Sequence, residues 1–313
     1  MPVILPEEMD YSNDNIVLIL TGMPGTGKTF VTCSAPDVVV VDLDNGMKRI
    51  YPVSFRKPII RPKTYEELRK EIEDLEGKFK TLVIDVGGKL IALLKEWAMR
   101  TDPTARKKSG GISQTGFGKV KTEFEEFDAY IRSKFDVIYT FHEKKSENDD
   151  QETFFDIICE GGAKDLVWQP ADIAAHVHIL NDGKRYLGFT PTSHYNAKAA
   201  YGIKGLVPIK ELKEGEPNNL LTILFQQVRE NMAAEAAALK PQKEAYDRAM
   251  AEGLKIIEQI DVPEKMMVAW DSIKALDHGL TSQKELEAAL KAHAKANGWA
   301  YSKEAKAYVA KAE

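Results

Sequence analysis

Eight consecutive residues, Gly22-Met23-Pro24-Gly25-Thr26-Gly27-Lys28-Thr29, carry the spacing G-x-x-x-x-G-K-[ST]. Glycines in that pattern let a tight loop turn several backbone N–H groups toward one anion, and a helix opening behind the loop adds its positive end. The lysine of such a loop reaches the β- and γ-phosphates of a nucleoside triphosphate, and the hydroxyl after it ligates Mg²⁺. Gly22, Pro24, Gly25, Thr26, Gly27, Lys28 and Thr29 are therefore the candidate triphosphate site, with Thr29 also a candidate metal ligand. The flanks agree: Ile16-Val17-Leu18-Ile19-Leu20 reads as a buried strand, and a helix-compatible segment follows the loop.

Three more positions have the right type and place for phosphate chemistry. Asp85 closes the apolar run Thr81-Leu82-Val83-Ile84, where a strand-end acid can hold the magnesium shell through water. Asp44 is a candidate to orient or deprotonate an attacking water, since hydrolysis needs an acceptor near the γ-phosphate. Its competitors are Asp42, two residues earlier, and a plain turn role beside Asn45-Gly46. His142 ends Val137-Ile138-Tyr139-Thr140-Phe141 and is either a γ-phosphate sensor or a structural histidine. His176, His178 and His194 read as structural, because the first two alternate along a strand rather than converge on a metal.

The elements that must hold these residues alternate between strands and helices. Val38–Asp42, Ile59–Arg61, Thr81–Asp85 and Val137–Phe141 read as strands; Thr64-Tyr65-Glu66-Glu67 is a capping box opening a helix. Further helices are expected over Lys89–Arg100 and around Phe124, Phe127, Tyr130 and Ile131. Residues 101–118 read as a loop because of Pro103 and four glycines, and Glu143–Glu152 as a mobile polar loop. Ala174–Leu180 and Arg185–Thr190 flank Asn181-Asp182-Gly183-Lys184 as a hairpin. The fold class is α/β: a doubly wound, mostly parallel sheet with the nucleotide at the carboxyl ends of its strands. Residues 1–15 are a lead-in, 1–230 form the ATP-binding core, and composition turns Ala-, Lys- and Glu-rich to make 231–313 a small helical appendage, with Pro241 and Pro263 as breakers.

Composition narrows the classes. The 313 residues are 43% hydrophobic and 29% charged with net charge −5, so a nucleic-acid site would be a local patch rather than a global basic field. Two cysteines, Cys33 and Cys159, without CxxC spacing fit a reducing, cytoplasmic compartment. No run approaches a membrane span, and Met1–Asn15 lacks the basic region of a secretory signal.

The order of GMPGTGKT, VVVVDLDNG, TLVIDVGG, VIYTFHEKK and EGGAKDLVWQPADIAAHVHI resembles RecA-like P-loop ATPases, and more closely phage-encoded ones of the AAA type. That resemblance covers roughly residues 12–210. It implies an ATPase using ATP and Mg²⁺, with Asp44 as catalytic base and His142 as nucleotide sensor. It further implies a homo-oligomeric ring or filament with ATP between subunits, acting on single-stranded DNA in phage recombination or annealing inside a host bacterium. A single-strand-binding protein is a further partner that it admits. Members often carry Lys-Asn-Arg-Phe-Gly after the hairpin, reaching a neighbour's nucleotide. Here the segment is Lys198-Ala199-Ala200-Tyr201-Gly202, which keeps Lys198 as the trans cation and replaces the arginine by Ala200.

The same resemblance places two DNA-facing loops. One holds Arg106, Lys107 and Lys108, with Arg100, Lys119 and Lys121 around them; the other holds Lys144 and Lys145 beside an acidic run at Glu147, Asp149, Asp150 and Glu152. In the C-terminal part Lys291, Lys295, Lys303, Lys306 and Lys311 sit near Trp299, Tyr301 and Tyr308, read as the charged face of a helical core. Two other functions compete: a nucleotide-gated loading or scaffold factor for a replication or packaging complex with little turnover, and a small-molecule kinase. A kinase wants several arginines in a lid over the donor phosphates, and residues 101–121 contain one.

Overall fold

The computed structural model describes residues 11–147, 152–159, 163–169 and 171–310. The expected lead-in at residues 1–10, the acids Asp149 and Asp150, and Lys311 lie outside them. Two compact units divide the chain: one spans Asn13–Glu230, the other is built mainly from Asn231 onward.

Residues buried on both faces of a sheet need no polar alternation, so the continuous apolar runs become central parallel strands. β1 (Val17–Gly22) leads into α1 (Lys28–Thr32), followed by β2 (Val38–Asp42), β3 (Ile59–Ile60) and α2 (Tyr65–Glu73). Next come β4 (Thr81–Asp85), α3 (Gly87–Thr101), α4 (Gln114–Arg132), β5 (Asp136–Glu147), β6 (Thr153–Ile157) and α5 (Ala163–Trp168). β7 (Ile173–Ile179), β8 (Arg185–Gly188) and β9 (Leu206–Ile209) complete the sheet, and α6 (Leu220–Glu258) follows. The sheet order is β3-β2-β4-β5-β1-β7-β8-β9, with β6 paired to β5. β3 through β7 run parallel along that order; β8, β9 and β6 are antiparallel additions. Thus β5 stands between the strand that feeds the phosphate loop and the strand that ends in Asp85.

Val17, Ile19, Val41, Ile84, Val137 and Tyr139 join the core beneath α2 to α5, while Leu18, Val40, Val83 and Ile138 are buried with the opposite orientation of strand alternation. Each such aliphatic side chain contributes about 1.5–3 kcal/mol on burial. The start of α6 is tied to the end of α1: Leu221 N–H donates to Ser34 Oγ at 3.0 Å and Thr222 Oγ1 donates to the Ser34 carbonyl at 2.8 Å. Asp136, fully buried at the start of β5, accepts from Arg229 at 2.6 and 2.8 Å and from Ile16 N–H at 2.8 Å.

Four local expectations need correction. Residues 101–118 are not an extended loop: α4 starts at Gln114, capped by Ser113, and takes in Gly116 and Gly118. Gly116 is there for contact, since a β-carbon would lie 2.7 Å from the Ala105 carbonyl. Lys119 is therefore helical and lies 4.9 Å over the Trp97 ring, Lys121 pairs with Glu125 on the same helix, and Arg100 is bonded to Glu66. Glu143–Glu147 is not a loop either but the outer end of β5, whose backbone pairs with β6 whatever its side-chain polarity. Pro241 does not end α6, which runs through it to Glu258, although an interior proline removes one helical hydrogen bond and crowds the carbonyl four residues earlier.

Lastly, the C-terminal unit is not all helical. Besides α6 it has α7 (Lys265–Lys274), α8 (Ser282–Ala296) and a hairpin of β10 (Trp299–Ser302) with β11 (Ala307–Ala310). Trp299 and Tyr308 pack from that hairpin onto a core of Ile257, Met266, Ile273, Leu286 and Leu290. Gly298 at φ 70° makes the left-handed turn from α8 into β10 that a helix-period reading does not anticipate.

Candidate functional site

β1, β2, β4 and β5 run parallel and so end at one edge of the sheet. The register sets Gly22 beside His142 and Asp42 beside Asp85. Beyond β1 the loop Met23–Gly27 turns back on itself through Thr26 N–H and Thr26 Oγ1, both donating to the Met23 carbonyl. Gly25 at φ 85° and Gly27 at φ 93° hold backbone values that favour glycine. Gly22 admits β7 at close range, since a β-carbon there would lie 2.8 Å from the Val177 carbonyl.

Lys28 is buried, and its ammonium donates to the carbonyls of Gly22 at 2.7 Å and Met23 at 3.0 Å. Burial lowers its pKa to about 8, against the attraction of Asp85, Glu143 and Asp44, which raises it. Thr29 Oγ1 donates to Asp85 Oδ2 at 2.9 Å, and Thr140 Oγ1 donates to Asp85 Oδ1 at 2.5 Å. Burial raises the Asp85 pKa, opposed by those two hydroxyls. Gly46 faces this pair: a β-carbon there would lie 2.8 Å from Asp85 Oδ2 and 3.0 Å from Thr29 Oγ1. A hydroxyl and a carboxylate side by side, with space kept clear by a glycine, are hard oxygen donors suited to a magnesium ion that also takes phosphate oxygens and water.

The two aspartates at and just beyond the end of β2, which spacing alone leaves unranked, separate in the structure. Asp42 is buried, accepts from Gly46 N–H at 2.6 Å and is clamped by Arg61 at 2.6 and 3.1 Å, so it shapes the turn. Asp44 lies beyond it with its side chain 27% exposed, 3.3 Å from Arg49 and 3.7 Å from His142 Nε2. The His142 pKa is lowered by burial and then by the Lys28 charge, with Asp44 pulling the other way. His142 Nδ1 is buried without a hydrogen-bond partner among the described residues.

These groups surround one cavity of about 480 Å³ whose walls include Gly25, Gly27, Lys28, Thr29, Asp44, Asp85 and His142. It also holds a residue that the sequence did not single out. Arg185, first residue of β8, lies so close over Gly27 that a β-carbon there would collide with its guanidinium. Among the described residues no carboxylate pairs with it, and it lies 5.9 Å over the Phe30 ring. Its only sequence signal is its place after the Asp182-Gly183-Lys184 turn; the neighbourhood of β8 and β1 across β7 is a tertiary fact.

Other expected residues lie elsewhere. Lys198 does not line this cavity; its backbone pairs with Ala174 and its ammonium donates to the Ala171 carbonyl. Arg106, Lys107 and Lys108 occupy an exposed turn closed by Lys107 N–H to the Gly111 carbonyl at 3.0 Å. Lys144 and Lys145 are exposed on the outer part of β5. Among the described residues no helix is long and apolar enough to cross a membrane.

A parallel α/β sheet, a glycine phosphate loop ending in Lys28-Thr29 and an acid at the end of the second-next strand define a P-loop NTPase. A family model described as an AAA domain matches residues 14–201, more than half of the chain, and the protein belongs to that family of ATP-binding domains. No match to the chain is found among curated proteins.

Proposed function

We propose that this chain is a magnesium-dependent, RecA-like ATPase that works as an assembly of copies on single-stranded DNA, in annealing or strand pairing during phage recombination. The observation that carries the hydrolytic half is the gathering of Lys28, the Thr29–Asp85 pair, Asp44, His142 and Arg185 around one cavity. In this scheme Lys28 exchanges the carbonyls of Gly22 and Met23 for phosphate oxygens, while the backbone N–H groups of the glycine loop hold the chain of phosphates. Thr29 and Asp85 would hold a magnesium ion, which neutralises phosphate charge when bound. Asp44, the carboxylate on the open side of the turn, accepts the proton of the attacking water. His142, neutral because burial and Lys28 depress its pKa, orients Asp44 and meets the γ-phosphate without adding charge. Arg185 supplies the cation from within the chain, which offsets the alanine at position 200. Lys198 can serve a neighbouring copy only by leaving the Ala171 carbonyl.

The DNA half is supported by β5 itself. Directly past His142 the strand carries Lys144 and Lys145 into solvent, where neither pairs with a carboxylate among the described residues. Cations on such an arm suit sequence-independent phosphate contacts. One feature favours the loading-factor reading instead: with Ala200 in place of an arginine, turnover depends on a cation from elsewhere. Measuring ATP hydrolysis with and without an oligothymidylate, alongside nucleotide-dependent binding of that strand, separates the two. Strand binding with magnesium-dependent, strand-stimulated turnover is expected. Binding with negligible turnover supports the loading factor, and no strand binding overturns the DNA role.

A further inference from the structure

A second cavity of about 670 Å³ shares the phosphate loop as a wall. Met23 and Thr26 line it, whereas Gly25, Gly27, Lys28 and Thr29 line the nucleotide cavity. Its floor is a cluster of flat rings. Tyr195 stacks on His176 with ring centres 4.3 Å apart and planes 13° apart; Phe155 lies 5.3 Å from His176, and His178 meets Tyr195 edge-on at 5.6 Å. Glu143 fixes the His176 ring, with Nδ1 3.0 and 3.2 Å from its two carboxylate oxygens. Gly188 makes room for Tyr195, because a β-carbon there would lie 2.5 Å from the phenol oxygen.

The rim differs in chemistry from the floor. Thr190, Thr192 and His194 are exposed and polar, and Lys145 stands at the edge with no carboxylate partner among the described residues. The segment carrying Thr192 and Tyr195 is held on β6, where Phe155 N–H donates to the His194 carbonyl at 2.7 Å. Inside, His178 Nε2 is buried with no hydrogen-bond partner among the described residues, and burial lowers the His178 pKa, so the ring offers a neutral polar atom. Flat rings that favour another flat ring, hydroxyls and an imidazole at its edge, and an ammonium beside the opening together match one base of a polynucleotide with its adjoining phosphate. An aliphatic occupant would leave the rim groups and Lys145 without a role.

We propose that this cavity seats one unstacked base of a single DNA strand against the Phe155, His176 and Tyr195 rings, with Lys145 on the neighbouring phosphate. The proposal rests on the single-strand role put forward above. It adds a base-dependent component to binding that Arg106, Lys107 and Lys108, as phosphate contacts, do not supply. The strand-bound base also touches the phosphate loop, through Met23 and Thr26, and the His176 ring of its seat is held by Glu143, the immediate neighbour of His142.

The test compares an oligothymidylate with a strand of equal length in which the bases are replaced by abasic sites, by fluorescence anisotropy with ATP and Mg²⁺. The expected result is about tenfold or greater weakening of the abasic strand, the size of base–aromatic stacking. Tyr195→Leu should bring thymidylate affinity down to the abasic level, leaving abasic binding and nucleotide affinity unchanged. Should Tyr195→Leu fail to fold, Thr192→Val at the rim should narrow the gap between the two strands, and Lys145→Ala should lower the affinity of both. Equal affinity for the two strands overturns the base seat and leaves the DNA role standing. Loss of self-association in Tyr195→Leu without any change in base discrimination also overturns it, assigning the cavity to a second copy of the chain. Failure of both strands to bind removes the single-strand role and the base seat together.

Discussion

The two cavities beside the phosphate loop are built in opposite ways. The nucleotide cavity is polar and carries charges of both signs, with Lys28 and Arg185 over glycine backbone and Asp44, Asp85 and His142 facing them. The neighbouring cavity is a floor of rings with a thin polar rim. One loop serves both: Gly25, Gly27 and its final Lys-Thr line the first cavity, while Met23 and Thr26 line the second. Fixed backbone donors recognise charge that every nucleotide carries, so the motif for them is short and local. A ring floor recognises shape, and here it is assembled from β6, β7 and the strand-like segment at Tyr195, which are distant in sequence. Damage to the ring cavity should therefore leave unstimulated hydrolysis in the nucleotide cavity intact, and substitutions around the nucleotide put that separation at risk first.

The largest effect is expected at Asp44, the proposed catalytic base. Asp44→Asn should lower ATP turnover by about 10²- to 10⁴-fold with nucleotide affinity retained; an unchanged rate in steady-state hydrolysis would move the base to another residue. Lys28→Ala should weaken nucleotide binding by about a hundredfold, the worth of a charge-assisted contact in a buried site. If calorimetry finds wild-type affinity in Lys28→Ala, the cavity is not the triphosphate site. Arg185→Ala removes the cation over Gly27 and should reduce turnover by about tenfold or more, with a smaller change in affinity. An equal fall in both would make Arg185 a binding group rather than one that senses developing charge.

A pH dependence arises from Lys28. Its pKa is lowered to about 8, so the unliganded protein loses that charge as pH rises through this value. An anion that needs the ammonium must then restore the proton, and affinity should fall by up to about tenfold per pH unit above about 8, with little change below it. Fluorescent-nucleotide titration across this range would show a flat profile if Lys28 keeps its proton. With ATP and Mg²⁺ kept saturating, strand binding by the ring cavity should not share this titration, because Lys28 does not line it.

Much of the site is legible in the sequence. The loop Gly22–Thr29 is contiguous, Asp85 ends a strand, and His142 directly follows the apolar run of β5, so type and position coincide in sequence. Asp42 and Asp44 were not separable, because the two differ in Arg61, which clamps Asp42 from nineteen residues away. Gly116 and Gly118 misled for a similar reason: glycine marks a loop locally, yet Gly116 sits in a helix to let Ala105 approach. In the outer part of β5 charged residues concealed a strand, since backbone pairing with β6 does not depend on their side chains.

Sequence by itself determined the phosphate loop, the parallel strands that feed it and the acid at Asp85, because each rests on local backbone geometry or on a short apolar period. The tertiary structure alone decided that Asp44 and not Asp42 faces His142, that Arg185 arrives over Gly27, and that Phe155, His176 and Tyr195 close into one ring floor. Those facts depend on strand order and register, where residues far apart in sequence are brought to contact distance, and no local pattern encodes such a meeting.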